Sequence, residues 1–356
     1  MVRALVIYHC GAALLTGLSL YFQSQSKTSR TGWKFAFLGM LLALILGLGA
    51  LIYPLPGFGR MQLLAWGVFL YVPIYLVGSI TLFLKSTPIW RIAASIFLLA
   101  LLAVGVDAFL VEPQRLEVTR IDLESEKISA PLTIGLLADI QTDRVGDYEK
   151  RVFERLSAED PDLVLFAGDY LQVSDPDRYP QEAHQLNEII RLADLDPELG
   201  LFAIQGNVDP AQWGEVFQDL DVVQVKETHS FDLGKIQLTA LSWLDSGDTD
   251  LQIGEQEGYH IVLGHSPNYS LGDIEADLLL AGHTHGGQFR LPGVGPLLTL
   301  SAVPRSWASG LTEIDPGKYL LVSRGIGMER GPAPRLRFLC RPELILIHLL
   351  PAEDGI

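Results

Sequence analysis

Five short polar blocks carry the chemical interest of this 356-residue chain. Asp139 and Gln141 follow the apolar run that begins at Leu132, Gly168 and Asp169 follow a second run, and Gly206, Asn207 and Asp209 follow a third. Gly264 with His265, then Gly282, His283, Thr284 and His285, close two more. Carboxylate, amide and imidazole donors thus collect at the C-terminal ends of successive apolar runs, where open α/β sheets place their sites. A lone Asp or His in such a place commonly caps a turn or satisfies a buried partner. His283 and His285 resist that explanation: on an extended strand they would stand about 6 to 7 Å apart, whereas a sharp glycine-rich bend brings them together. Taken jointly, the blocks describe a metal site.

The elements that must hold these blocks are legible as short apolar runs separated by amphipathic stretches. Residues 132–138, 162–167, 200–205, 260–263 and 277–281 read as buried strands, and 147–158 and 180–195 as helices. Strands alternating with helices imply a layered α/β core. Further strands at 235–244, 318–323 and 344–350, with little helix between them, turn that core into a β-sandwich flanked by helices. His184 and His229 read as surface residues and His348 as a strand residue. No Walker-type loop, nucleophile elbow or dinucleotide fingerprint is present.

The order of the blocks resembles the calcineurin-like metallophosphoesterase superfamily, with its Asp-x-His, Gly-Asp, Gly-Asn-His-Asp/Glu, Gly-His and Gly-His-x-His motifs. The stretches 282–288, 323–327 and 341–344 look like its membrane-associated bacterial branch. The resemblance runs from Leu132 to the C terminus and implies a metallophosphoesterase-type fold and two divalent cations. Carried over block by block, Asp139, Asp169 and His285 hold one cation, with Gln141 as a fourth ligand. Asp169 bridges to a second cation held by Asn207, His265 and His283. Mixed carboxylate, amide and imidazole donors suit Mn, Fe or Zn better than Ca. Two such ions supply a nucleophile from water at neutral pH and stabilise charge on an in-line phosphoryl group.

Two positions depart from the family pattern. Gln141 stands where the first block has His, offering a weaker, neutral amide ligand. Val208 stands where the third block has the His that protonates the leaving group, so Asp209 keeps its catalytic position without its partner. Asn207, Asp209 and Arg324 are the expected catalytic residues, Arg324 as a phosphate contact alongside Arg330 and Arg335, because guanidinium groups bind phosphate oxygens bidentately.

The N-terminal third is of a different kind. Mean hydropathy over the chain is +0.27, high for a formal net charge of -16. Residues 1–112 carry a net charge of +5 and residues 113–356 a net charge of -21, which divides the chain into a transmembrane region and a catalytic domain. Segments 4–22, 35–53, 63–84 and 92–111 each approach the roughly 20 apolar residues that a bilayer-crossing helix needs, giving four spans in the N-terminal region. Tyr21, Trp33, Tyr53 and Trp90 fall near their ends, as interfacial rings do. Lys27, Arg30 and Lys34 share one side with Lys85 and Arg91, which places the catalytic domain outside the cytoplasm of a plasma-membrane protein. Asp107 reads as interfacial and Pro73 as a kink. The widely separated Cys10 and Cys340 give no disulfide framework.

The expectation is therefore a metal-dependent phosphoesterase acting on a phosphomonoester, phosphodiester or phosphoanhydride that is lipid-linked or close to the membrane. The acidic domain repels nucleic acid. A sugar-nucleotide lipid such as a UDP-diacylglucosamine is one substrate the resemblance suggests, and the outward orientation counts against it. The alternative is a non-catalytic membrane sensor or assembly protein with a degenerate metal site. A transporter is disfavoured by spans with few polar residues and no paired charges. Oligomeric state is left open.

Overall fold

The computed structural model describes residues 2–25, 31–52, 57–83 and 88–352. The chain divides into two compact units, Met1–Leu110 with Pro332–Arg335, and Val111–Gly331 with Leu336–Ile356.

In the first unit, uninterrupted apolar sequence gives helices because a helix satisfies its own backbone groups. Leu5–Ser24, Gly57–Leu82 and Pro88–Gln114 are long and apolar enough to cross a membrane, and Lys34–Ala50 is a shorter apolar helix. The second expected span lies in the 22-residue helix Thr31–Ile52, whose apolar stretch is Lys34–Ala50. Tyr53, Lys27, Arg30, Lys85 and the side chain of Trp33 lie outside the described residues. The expected kink at Pro73 is a π-helical segment, Gly67–Tyr71, immediately before it. Proline lacks the N–H of the regular ladder and its ring crowds the carbonyl four residues back, here that of Phe69 inside the widened turn. Two further π segments follow, Ser79–Phe83 and Asp107–Val111, the latter opening on Asp107. Polar bonds tie the helices together: Tyr8 Oη donates to the Leu63 carbonyl at 2.8 Å, Tyr75 Oη to that of Phe35 at 2.9 Å, and Ser79 Oγ to Gln23 Oε1 at 2.8 Å.

The second unit is a sandwich of two six-stranded sheets. Its strands are β1 (Glu117–Ser125), β2 (Leu132–Leu137), β3 (Leu163–Phe166), β4 (Leu201–Ile204), β5 (Val223–Val225), β6 (His229–Asp232), β7 (Gln237–Ala240), β8 (His260–Leu263), β9 (Leu278–Ala281), β10 (Gly310–Asp315), β11 (Lys318–Val322) and β12 (Glu343–Pro351). One sheet runs in the order β1-β12-β2-β3-β4-β5 and the other β10-β11-β9-β8-β7-β6. Strands β2 to β5 are mutually parallel, as are β7, β8, β9 and β11, so each of these sets ends its strands at a common edge.

The two-residue period of a strand explains how both sheet faces are filled. Ile134, Leu136, Leu163 and Leu165 point into the sandwich and meet Ile261, Leu263, Leu278 and Leu280 of the other sheet. Their neighbours Leu137, Val164 and Phe166 face outward and are covered by Val152, Phe153 and Leu156 of the helix Asp147–Ser157 and by Ala183, Leu186 and Ile190 of the helix Tyr179–Leu192. The outer face of the second sheet buries Val262, Leu279, Ala281, Leu320 and Val322 with Leu241 and Tyr269. Burial on both faces is why the parallel strands read as continuous apolar runs. Cys10 and Cys340 are both free.

Candidate metal centre

Both sheets deliver their polar blocks to the same end of the sandwich. Asp139, Asp169 and Asn207 follow β2, β3 and β4, and His265 and the pair His283 and His285 follow β8 and β9. Among these ligand candidates Asp139, Gln141, Asp169, His283 and His285 all have positive φ, between 34° and 69°. Side chains other than glycine rarely hold that conformation, and where it recurs the surrounding structure must enforce it.

The enforcement is visible in backbone bonds. The amide of Asp139 donates to the Gly168 carbonyl at 3.0 Å and that of Gln141 to the Asp169 carbonyl at 2.8 Å, lacing the first two blocks together. The amide of His283 donates to the carboxylate of Asp139 at 3.0 Å, and the amide of Val208 to Asp169 Oδ1 at 2.9 Å. Close approach demands glycine at Gly206, where a Cβ would lie 2.1 Å from Asp169 Oδ1. At Gly282 it would lie 2.7 Å from Asp139 Oδ2.

Asp139, Asp169 and His265, all buried, offer ligand atoms within 4.8 Å of one another. His265 Nε2 lies 3.4 Å from Asp169 Oδ2 and 2.9 Å from Asn207 Oδ1. Asn207 Oδ1 is also 2.7 Å from His283 Nδ1, and the two imidazoles meet edge to face with centroids 5.1 Å apart. His285 Nε2 is 3.9 Å from Asp139 Oδ1. Six of the seven expected ligands are thus linked by direct contacts, and Gln141 joins them through its backbone bond to Asp169.

The electrostatics are those of a cation site. Burial pushes the Asp139 carboxyl up to about 7, with His265 pulling it down and Asp169 adding to the rise. Burial opposes charge on His265, but Asp169, Asp139 and the Ala167 carbonyl outweigh it and lift its pKa to about 9. His283 is held near 4 by burial and by the charge of His265. Burial, followed by Arg337, drives His285 well below the ordinary value. The 2.8 Å contact of His265 Nδ1 with the Ala167 carbonyl makes that nitrogen a donor and leaves Nε2 as the ligand atom when the ring is neutral. Gln141 Oε1 and His285 Nδ1 are buried without a hydrogen-bond partner. Two buried carboxylates and the unsatisfied Gln141 oxygen are what divalent cations would complete, so the residues present fit them.

Two expected catalytic residues are placed differently from expectation. Both oxygens of Asp209 are occupied: Oδ2 accepts from the amides of Asp169 at 2.7 Å and Gly206 at 2.8 Å, and Oδ1 from that of Tyr170 at 2.7 Å. Asp209 is therefore a positioning residue that fixes the Asp169 turn. Arg324 Nη2 bonds Glu343 Oε1 at 2.6 Å and Glu117 Oε2 at 3.1 Å, which commits its charge to carboxylates of the fold. Arg330 has Asp143 at 3.4 Å. Sequence reasoning missed Arg337, which is fully buried. Its guanidinium donates to the carbonyls of Arg324 at 2.7 Å, Gly325 at 3.1 Å and Cys340 at 3.1 Å, and to that of Gly327. The loop it freezes clasps the first block, with the amide of Gly327 on the Asp139 carbonyl at 2.7 Å and that of Ile326 on the Ala138 carbonyl at 2.9 Å. The only available signal was an Arg close to the closing Gly-Ile-Gly segment.

The shifted groups fix the pH dependence of metal uptake. Asp139 and His265, with values near 7 and 9 in the metal-free protein, carry protons at neutral pH that a bound cation must displace. Affinity should therefore rise with pH from about 6 to about 9 and flatten above. Titration calorimetry of metal-free protein in buffers of different ionisation enthalpy should record proton release at pH 7. A pH-independent affinity with no proton released would contradict it.

Comparison with known proteins agrees with the site. Residues 132–287 match the calcineurin-like phosphoesterase family. The chain is 29% identical over 259 residues to the uncharacterised metallophosphoesterase YkuE of Bacillus subtilis (strain 168), a match covering 67% of this chain and 87% of YkuE. It is 28% identical over 264 residues to an uncharacterised metallophosphoesterase of Aquifex aeolicus (strain VF5), covering 67% and 94%. A 93-residue stretch is 36% identical to the phosphodiesterase YaeI of Escherichia coli (strain K12), covering 25% of this chain and 32% of YaeI. Ordered donor blocks, a carboxylate and imidazole cluster at one end of a sandwich, and these relatives together identify residues 132–287 as a calcineurin-like phosphoesterase domain.

Proposed function

We propose that the chain is a membrane-tethered phosphoesterase that works with two divalent cations, Mn, Fe or Zn, on a phosphomonoester, phosphodiester or phosphoanhydride at or near a lipid surface. The observation that carries this reading is the convergence of Asp139, Asp169 and His265 into one buried cluster, with Asn207, His283 and His285 around it. When bound, the cations would activate water and neutralise charge on the phosphoryl oxygens. Asp139 and His285 would hold one of them and Asn207, His265 and His283 the other, with Asp169 shared. Asp209 and the Val208 amide keep the Asp169 carboxylate aimed, and Arg337 holds the loop behind Asp139.

Three apolar helices of membrane-crossing length, and the shorter Lys34–Ala50 helix as a fourth span, support the tether. The net charge of -21 on residues 113–356 disfavours nucleic acid as substrate. Loop charge favours a catalytic unit outside the cytoplasm, which counts against a nucleotide substrate. A second reading, a metal-binding sensor without turnover, is favoured by one observation: Val208 leaves the site without the family's proton donor.

Full-length protein in detergent, loaded with Mn²⁺, should cleave bis(p-nitrophenyl) phosphate, and Asp169→Asn should abolish cleavage and lower bound metal while circular dichroism stays unchanged. Metal binding by the wild type with no cleavage above that of Asp169→Asn would favour the sensor. A reporter fused after Ile356 tests the orientation; it should be active only outside the cytoplasm, and cytoplasmic activity would reverse the assignment.

Val208 makes a further demand on the chemistry. General acid catalysis contributes about 10²- to 10⁴-fold, and without it the departing oxygen must leave as an anion. Aryl esters and anhydrides should be cleaved faster than alkyl esters by a factor of that order. Val208→His should flatten the dependence of log rate on leaving-group pKa. A shallow wild-type slope, unchanged by the substitution, would show that another group supplies the proton.

A further inference from the structure

The amide of Gln141 sits in a hydrogen-bond arrangement that dictates which of its two ends is which. The side chain is fully buried, and its Nε2 donates to Gln172 Oε1 and to Glu329 Oε2, each at 3.1 Å. Glu329 is the anchor of this arrangement. Its other oxygen accepts from Gln172 Nε2 at 2.7 Å, and its own backbone amide donates to Gln288 Oε1 at 2.5 Å. Because a carboxylate only accepts, it takes the nitrogen end of both glutamines. Gln172, with its nitrogen committed to Glu329, has only its oxygen left to offer; that oxygen accepts from Gln141 and from the backbone amide of Arg330. Two acceptors therefore face the Gln141 amide, and turning it over would set its oxygen against both.

What remains is the Gln141 oxygen, buried and without a hydrogen-bond partner. An unpaired buried carbonyl costs about 1 to 3 kcal/mol, and native proteins leave few of them. This one belongs to a residue held at φ 34°, two positions after Asp139 and bonded through its backbone to Asp169.

We propose that Glu329 and Gln172 are positioning residues that lock the Gln141 amide with its oxygen presented as a neutral ligand to the cation beside Asp139, where the family places an imidazole. The inference rests on the metal-site reading above. It also has a consequence for metal preference: carbonyl oxygen suits Mn²⁺ better than Zn²⁺, and imidazole the reverse. Glu329 and Gln172 thus bias that site toward the harder ion without touching it.

The test is Mn²⁺ binding to metal-free, full-length protein, followed by titration calorimetry and by the paramagnetic resonance of free Mn²⁺. Glu329→Gln is isosteric but offers one acceptor where the carboxylate offered two. It should weaken one of two sites by about 10- to 100-fold, the usual cost of losing an outer partner of a metal ligand. Gln172→Ala should weaken the same site. In a Gln141→His background, where imidazole replaces the amide oxygen, Zn²⁺ should now bind that site in preference. Thermal midpoints of the metal-free variants separate a lost ligand from a lost fold. Two intact Mn²⁺ sites in Glu329→Gln and in Gln172→Ala would overturn the lock while leaving the metal centre standing. Wild-type protein that takes up no Mn²⁺ or Zn²⁺ would remove the centre and the lock together.

Discussion

Two carboxylates buried side by side, with too little fixed positive charge between them, are the constraint on which the catalytic unit depends. Asp139 and Asp169 are almost fully removed from solvent, and the charge that shares their cluster is the imidazole of His265. Arg337 feels the same field, lowering the pKa of Asp139, but its donors are spent on backbone carbonyls. In the metal-free protein burial, helped by the neighbouring Asp169, raises Asp139 toward 7, and the two carboxylates overcome the burial of His265 and raise it toward 9. Such an arrangement is costly for a protein alone and favourable around a divalent ion, whose charge inverts the local preference.

Holding the carboxylates in place requires backbone that does not relax. Five ligand candidates adopt left-handed conformations, each a cost of order 1 to 3 kcal/mol for a residue with a side chain. Tertiary bonds offset it: the first block is laced to the second by amide-to-carbonyl bonds, and the second is locked by the Asp209 carboxylate on the amides of Asp169, Tyr170 and Gly206. The sandwich supplies the rigidity underneath, since the strands before each block are buried on both faces. Strain at the strand ends and rigidity in the strands are therefore two sides of one design, in which loops carry the site and sheets fix its coordinates.

Much of this was legible in the sequence because parallel, doubly buried strands write themselves as apolar runs, and the polar blocks after them are conspicuous by contrast. The strands 132–137, 163–166, 201–204, 260–263 and 278–281 and the two covering helices lie where the pattern puts them. Strand Glu117–Ser125 was not legible: at the sheet edge one set of alternate residues is Glu, Thr, Ile, Leu and Ser and the other Val, Arg, Asp and Glu, so neither reads as an apolar face, and its parallel pairing with Glu343–Pro351 spans most of the catalytic unit. Glu343 shows the same limit at the level of one residue. In sequence it opens an apolar run; in the fold it accepts from Thr119 and from both the backbone and side chain of Arg324. The partners of Arg324 were illegible for that reason, since its carboxylates arrive from distant strands. The bracing by Asp209 was illegible because side-chain-to-amide bonds leave no periodic trace.

The two departures from the family pattern differ in what they remove. At Val208 the site needs two things, a backbone N–H on Asp169 Oδ1 and a side chain that moves a proton, and only the second depends on residue type. The neighbouring Asp209 likewise braces the Asp169 turn without help from position 208. The Gly206–Asp209 block therefore keeps its structural work intact under substitution of its middle residue, and what changes is confined to the proton inventory of the reaction. Gln141 is the opposite case. A histidine there would be a ligand through its own ring, whereas a glutamine becomes one only if its amide is held the right way round, and the carboxylate of Glu329 sets that direction from 188 residues away in sequence. A substitution that looks like loss when single positions are compared is, in the fold, one half of a pair.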